Sequence, residues 1–259
     1  MTKLKLLVCA AAAIALASCE TMSGGAHLGK PLKAADYAAI LADPGRPAAD
    51  RADDAARKPA ELLEFAQIRP GSTVLEIEVG RGWMTEMLSK AVGPNGRVIT
   101  QNPAEFNYSA PAMAARRKDG RLANVTDTTS HFDQLKIPDK SVDEALWILG
   151  PHETFFHPQG ANLGDPAKSF AEIKRVLKPG GTLIVMDHAA DAGAPPATTG
   201  QTLHRIDPAV AMKLATDAGF KLEAKSDLLA NPQDDRTKPV FNSTIRRHTD
   251  QFLWRFKAK

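Results

Sequence analysis

Cysteine is nearly absent from this chain of 259 residues: there are two, Cys9 and Cys19, both close to the start. Beyond Cys19 no disulfide can form and no Cys-based metal site can be built. An excess of charge is missing as well. Lys and Arg number 33 against 30 Asp and Glu, and Lys3 with Lys5 supply most of the formal +3. So even a balance carries no electrostatic footprint for nucleic acid, which is not an expected partner. No apolar run is long enough to cross a bilayer. The best, Leu6 to Leu16, falls short of the roughly 20 residues a spanning helix needs. No internal repeat is visible.

What the first residues do contain is a sorting signal. Lys3 and Lys5 form a charged region, Leu6 to Leu16 a short apolar one, and Leu16-Ala17-Ser18-Cys19 closes it with small residues. This triplet ending in Cys resembles the bacterial lipobox. The resemblance implies cleavage before Cys19, diacylglyceryl modification of its thiol and acylation of the new N-terminus. Three acyl chains anchor firmly, since two lipid signals already suffice. Glu20 follows the Cys rather than Asp, which by resemblance to enteric sorting rules implies the outer membrane. The expectation is an exported lipoprotein on the periplasmic face of a bacterial outer membrane, touching the membrane through its lipid anchor alone. Residues 1–18 are the signal peptide, 19–35 a small, polar tether, and 36–259 one α/β domain of a size that holds a sizeable core.

Within that domain, strands alternate with helices. Val74-Leu75-Glu76-Ile77-Glu78-Val79-Gly80-Arg81-Gly82-Trp83 is an apolar strand that turns through glycines into a helix carrying Met84, Met87, Leu88, Ala91 and Val92 on one face. Missing β-carbons let the backbone approach a ligand, and a helix N-terminus offers free N–H donors. Further strands are expected at Arg97 to Thr100, Asn124 to Asp127, Val142 to Leu149, Thr182 to Met186, Phe220 to Leu228 and Asp250 to Phe256. Helices are expected over Asp36 to Ala42, Asp50 to Ala66, Ala110 to Lys118, the Phe170-Ile173-Leu177 stretch and the Val210-Leu214-Ala218 stretch. Ala189 to Gly200, rich in Ala, Gly, Pro and Thr, reads as a long mobile connection.

Three motifs carry a family resemblance: the glycine turn, Pro138-Asp139-Lys140-Ser141-Val142-Asp143, and Arg175-Val176-Leu177-Lys178-Pro179-Gly180-Gly181 leading into Leu183-Ile184-Val185. Over roughly Lys58 to Phe256 the chain resembles the class I S-adenosylmethionine-dependent methyltransferases. More narrowly, Asp187-His188, Leu203-His204-Arg205-Ile206-Asp207 and Thr249-Asp250-Gln251-Phe252 look like a bacterial family of exported methyltransferases. The resemblance implies a Rossmann-like, mostly parallel seven-stranded sheet with helices on both faces, ordered 3-2-1-4-5-7-6. It also implies S-adenosyl-L-methionine as cofactor, with Glu76, Gly80 and Gly82 on its methionine and ribose side. Glu78 stands where the superfamily usually has its first glycine. Gln101 or Asn102 ends strand two, where an acidic residue normally accepts the ribose hydroxyls. A carboxylate at Glu76 complements the cofactor's positive charge, and the acidic turn disfavours a dinucleotide's pyrophosphate.

Methyl transfer needs alignment of acceptor and sulfonium, and a base where the acceptor is a hydroxyl. His152 is the first candidate for base or orienting group and His188 the second; Glu153, His204 and Arg205 are candidates for holding substrate. His152, His157, Asp187, His188 and His204 match no recognised metal-ligand spacing, and no metal is expected. No Asn-Pro-Pro-aromatic motif follows strand four, so the resemblance to amino-group DNA methyltransferases fails. Two functions follow: methyl transfer to a small-molecule acceptor, or a catalytically silent methyltransferase fold serving as an envelope scaffold.

Overall fold

The computed structural model describes residues 28–259; Cys19 and the leader it closes lie outside the described residues. Three helices come first: α1 (Ala34–Leu41), α2 (Ala48–Arg57) and α3 (Pro59–Ala66). The alternating core follows: β1 (Thr73–Ile77), α4 (Trp83–Val92), β2 (Arg97–Asn102), α5 (Ala110–Arg116), β3 (Val125–Thr129), β4 (Val142–Ile148), α6 (Pro166–Val176) and β5 (Leu177–His188). It closes with α7 (Pro196–Leu203), α8 (Pro208–Asp217), β6 (Phe220–Ser226) and β7 (Gln251–Ala258).

The seven strands form one sheet in the order β3-β2-β1-β4-β5-β7-β6. Neighbours run parallel from β3 to β5, and β7 inserts antiparallel between β5 and β6. This is the expected class I methyltransferase topology. Side chains alternate between the two faces, as strand geometry requires. Leu75, Ala145, Trp147, Leu183 and Val185 join Phe170 and Ile173 of α6 and Ala211 and Ala215 of α8. Val74, Leu146, Ile184 and Met186 join Leu62 and Leu63 of α3 and Met87 and Leu88 of α4. Central strands buried on both faces explain the near-continuous apolar runs in the sequence.

Two expected elements differ. Strand five was expected at Thr182 to Met186 with Leu177 in the preceding helix, but β5 already starts at Leu177, where it pairs with Val142 before a register shift. The Ala189–Gly200 connection is not a loose loop. Ala189 bridges Ile206, the Ala190 N–H donates to the Ile206 carbonyl at 2.9 Å, and the Gly193 N–H donates to Asp207 at 2.7 Å. Pro195 and Pro196 then start α7, whose Thr199 and Thr202 hydroxyls bond back to carbonyls four residues earlier. Upstream, the Gly29 and Leu32 N–H groups donate to the Pro70 and Ile68 carbonyls, so the described chain is already seated on the domain there.

Candidate active site

The turn leaving β1 is held open by backbone geometry. Glu78, Gly80 and Gly82 all have positive φ, at 59°, 55° and 79°. A Cβ on Gly80 would meet no atom within 4 Å, so that position faces open space, whereas one on Gly82 would lie 2.6 Å from Met113 Sδ. The two glycines therefore do different work: Gly80 leaves room for a ligand, and Gly82 lets α4 start against α5. Arg116 locks the turn, donating from Nε to the Arg81 carbonyl at 2.7 Å and pairing with Glu86 at 2.8 Å and Asp50 at 2.7 Å.

Glu76 points from β1 into this space. It is buried, its Oε2 has no hydrogen-bond partner, and burial pushes its carboxyl up to about 8. Glu78 turns elsewhere. Its Oε2 lies so close to Gly150 that a Cβ there would be 2.5 Å away, at a point also beside Trp147 Nε1. The space next to Gly80 is thus free of the Glu78 carboxyl. Burial first, and then the charge of Glu153, raise Glu78 well above the carboxylate range.

Around this turn lies a cavity of about 450 Å³, lined by Glu76, Glu78, Gly80, Arg81, Trp83 and Tyr108. A second, smaller cavity of about 120 Å³ is lined by Leu62, Met186, His188, Leu229, Val240 and Phe241. The two adjoin: Arg57, Trp83, Ile148, Leu149, Arg246 and Arg247 line both. One is polar and acidic at its floor, the other apolar.

Behind the second cavity, the ends of β4 and β5 bring acids and imidazoles together. Asp187 accepts from the His152 backbone N–H at 2.8 Å, from the His188 N–H at 2.8 Å, and from His152 Nδ1 at 2.7 Å. His152 Nε2 stands 3.2 Å from Glu153 Oε1, and His204 Nδ1 stands 3.5 Å from the same oxygen. Burial opposes the charge on His152, but Asp187 and Glu153 outweigh it and hold the imidazole well above its ordinary value. Burial likewise works to raise Glu153, and the two imidazoles overcome it, holding the carboxyl at about 2. His188 goes the other way: burial, and then the charge of His152, push it well below the usual value, so it is neutral. Its Nδ1 lies 2.7 Å from the Thr249 hydroxyl.

Two sequence expectations need correction. Gln101 is not free to meet a ribose. It is fully buried, its amide donates to the Ser130 carbonyl at 2.6 Å, and its Oε1 accepts from the Glu78 N–H at 3.3 Å. The strand-end group is Asn102, whose Nδ2 donates to Ser109 Oγ at 2.9 Å while its Oδ1 is buried without a partner. Arg205 does not face a substrate either. Fully buried, it pairs with Asp234 at 2.8 Å and donates to the carbonyls of Ala189 and Lys238. Sequence reasoning missed the shared wall. Trp83 carries no distinguishing signal in the sequence, and Arg246-Arg247 lies in the irregular 227–250 segment, where a paired-arginine run between two strands was the only available signal.

These residues fit a cationic nucleoside. An orphaned buried carboxyl oxygen on Glu76 suits an ammonium or sulfonium, open space beside Gly80 admits the ligand, and the bare Asn102 oxygen, beside a neighbouring cavity that shares Val79, is able to accept a hydroxyl proton. Comparison with known proteins agrees. Residues 75–185 match the family model described as a methyltransferase domain. A ubiquinone/menaquinone biosynthesis C-methyltransferase from Hydrogenovibrio crunogenus is 33% identical over 127 residues, covering 48% of this chain and 45% of the relative. Its counterpart from Cronobacter sakazakii is 27% identical over 184 residues, covering 70% of this chain and 68% of the relative. The chain thus spans less than half of the first relative and about two thirds of the second. A crystal structure of an S-adenosylmethionine-dependent methyltransferase from Aquifex aeolicus superimposes with a TM-score of 0.58 at 21% identity, covering 88% of this chain and all of that one, a likeness of fold. Residues 75–185 thus match a methyltransferase domain, on a fold that the chain shares with S-adenosylmethionine-dependent methyltransferases.

Proposed function

We propose that this protein methylates a small acceptor with an apolar body, held in the smaller cavity while the cofactor occupies the larger. The observation that carries this reading is the shared wall of Arg57, Trp83, Ile148, Leu149, Arg246 and Arg247, which sets the two cavities side by side. The cofactor, when bound, supplies the electrophilic methyl group. Everything else falls to the chain. Glu76 answers the positive end of the cofactor, and Asn102 accepts a ribose hydroxyl. Leu62, Met186, Leu229 and Val240 exclude water from the acceptor. His188 is the imidazole that lines the acceptor cavity, and being neutral it accepts a hydrogen bond from an acceptor O–H or N–H. His152 and Glu153 act from behind it: the His152 and His188 rings are 6.2 Å apart. The arginines of the shared wall suit the cofactor's carboxylate or an anionic group on the acceptor.

The reading includes location: an envelope lipoprotein, tethered through Cys19 on the periplasmic face of the outer membrane. The lipobox-like Leu16-Ala17-Ser18-Cys19 and the following Glu20 support it. A signal-peptidase inhibitor such as globomycin should make the uncleaved precursor accumulate, and undisturbed processing would refute lipidation.

A second reading, a silent scaffold, draws on Glu78 in a left-handed conformation and on Asn102 in place of an acid. Calorimetric titration of the detergent-solubilised full-length chain with S-adenosylhomocysteine separates the two. Micromolar binding is expected; no heat at millimolar ligand leaves only the scaffold.

A further inference from the structure

We propose that His152, Glu153 and His204 form a binding site for one divalent transition-metal ion of zinc-like preference, beside the acceptor cavity. One ligand atom from each lies within 4.8 Å of the others. His152 Nε2 and His204 Nδ1 stand 3.2 Å and 3.5 Å from Glu153 Oε1. Two donors about 2.0–2.1 Å from an ion at a tetrahedral angle stand about 3.3–3.4 Å apart, so both separations match edges of a zinc coordination tetrahedron. The donor set, two imidazoles and one carboxylate, is the one that leaves a fourth position open on zinc.

Hydrogen bonding alone does not account for the cluster. His204 Nδ1 and Glu153 Oε2 are both buried with no hydrogen-bond partner, and the Glu153 side chain is 9% exposed. Glu78, on which the Glu153 charge acts, also has its Oε2 buried without a partner among the described residues. A cation among them would satisfy atoms that the protein leaves bare. The outer shell is also in place. Asp187 accepts from His152 Nδ1 at 2.7 Å, which fixes the tautomer and leaves the Nε2 lone pair turned to the site. Asp187 is itself anchored by the His152 and His188 backbone N–H groups. Phe156 and Phe241 flank the His204 ring at centroid distances of 4.6 and 4.9 Å, an apolar neighbourhood for that ligand. Charge balances too: a divalent ion with neutral imidazoles offsets the Glu153 and Asp187 carboxylates.

The ligands come from two places far apart in sequence, the turn after β4 and the end of α7. They are brought together by the packing of α7 on the Pro151–Phe155 turn. That is why no ligand spacing is visible along the chain.

The proposal does not rest on methyl transfer, and its test reads metal directly. The detergent-solubilised full-length chain is equilibrated with Zn²⁺, freed of excess by gel filtration and analysed by mass spectrometry of the metal. The expected content is about one equivalent, falling at least about tenfold in His204→Gln and Glu153→Gln but not in His157→Ala, a surface histidine. Substitution with Co²⁺ should give visible ligand-field bands of a tetrahedral N/O site, and chelation of the wild type should lower its melting temperature. Should the ligand variants prove unfolded by circular dichroism, the cobalt spectrum of the wild type still decides. A metal-free wild type, or folded ligand variants that retain their ion, overturns the proposal. S-adenosylhomocysteine titrated into the same samples keeps the outcomes apart: cofactor binding without metal removes this site alone, and metal without cofactor removes the enzymatic reading alone.

Discussion

Glu76 shows how one side chain can trade stability for binding. Burial pushes its carboxyl up to about 8 against an ordinary 4.5, outweighing Thr85 and the charge of Arg116, and its Oε2 has no hydrogen-bond partner among the described residues. The folded state therefore holds that proton more tightly than the unfolded chain. Its contribution to stability is intact at acid pH and falls as pH rises from about 4.5 through 8. Glu76→Gln should raise the melting temperature at pH 8, by about 1–2 kcal/mol in free energy, with little change near pH 5. The same change should weaken S-adenosylhomocysteine at least tenfold, because the ligand's ammonium loses its carboxylate. An unchanged melting temperature at pH 8 would mean that the carboxyl is solvated. Gly80→Val makes the complementary test. The new Cβ meets no protein atom within 4 Å, so the substitution fills ligand space at the cost of its positive φ, about 1–2 kcal/mol. Binding should vanish from a protein that is still folded. Both positions were legible in the sequence because a single strand and turn contain them. The Asp187–His152 pair was not, since its partners lie at the ends of two different strands and only parallel pairing brings them together.

Elements differ in how openly the sequence declares them. β1, β4 and α4 show plainly because apolar periodicity and flanking glycines mark them. Composition hid α7: Ala, Gly, Pro and Thr suggest a loose connection, and only the paired prolines hint at a helix start. Residues 227–250, between β6 and β7, have no period at all, yet Leu229, Val240 and Phe241 of that segment wall the acceptor cavity. A buried ion pair is among the contacts that hold the segment, beside backbone bonds from Gln251 to Leu229 and from Val240 to Leu203. Asp234 holds Arg205 at 2.8 Å, both fully desolvated at the side chain, and the Asp234 Oδ2 also accepts from the Asp250 N–H at 2.7 Å. Asp234→Ala strands a guanidinium in the interior and should cost about 3–5 kcal/mol in a chemical-denaturation experiment. A cost below about 1 kcal/mol would show that water reaches Arg205 and that the segment is not pinned there.

Taken together, the two ends of the sequence close one site. α2 comes from the N-terminal side and the 241–247 stretch from the C-terminal side, and both border the paired cavities. α2 has no buried residue, so apolar packing does not hold it in place. Charge does: Arg46 pairs with Asp54 at 2.7 Å, Arg116 with Asp50 at 2.7 Å, and Arg247 with Asp53 at 2.5 Å, while the second partner of Asp53, Arg57 at 3.4 Å, lies on the same helix. The first two are sheltered, but the Arg247 side chain is 41% exposed, so its bridge contributes at most about 1 kcal/mol. A helix secured this way sits at the low end of local stability and can lift without unfolding the domain. Asp53→Asn should therefore leave the global melting temperature within a degree or two. It should speed amide exchange across Ala48–Arg57 several-fold and raise the dissociation rate of S-adenosylhomocysteine. High salt should mimic the substitution in the wild type and add little to the variant, because screening weakens the same exposed bridge. Equal exchange in both proteins at low salt would show that Arg46 and Arg116 alone keep α2 down, and that ligand enters past the 241–247 stretch instead.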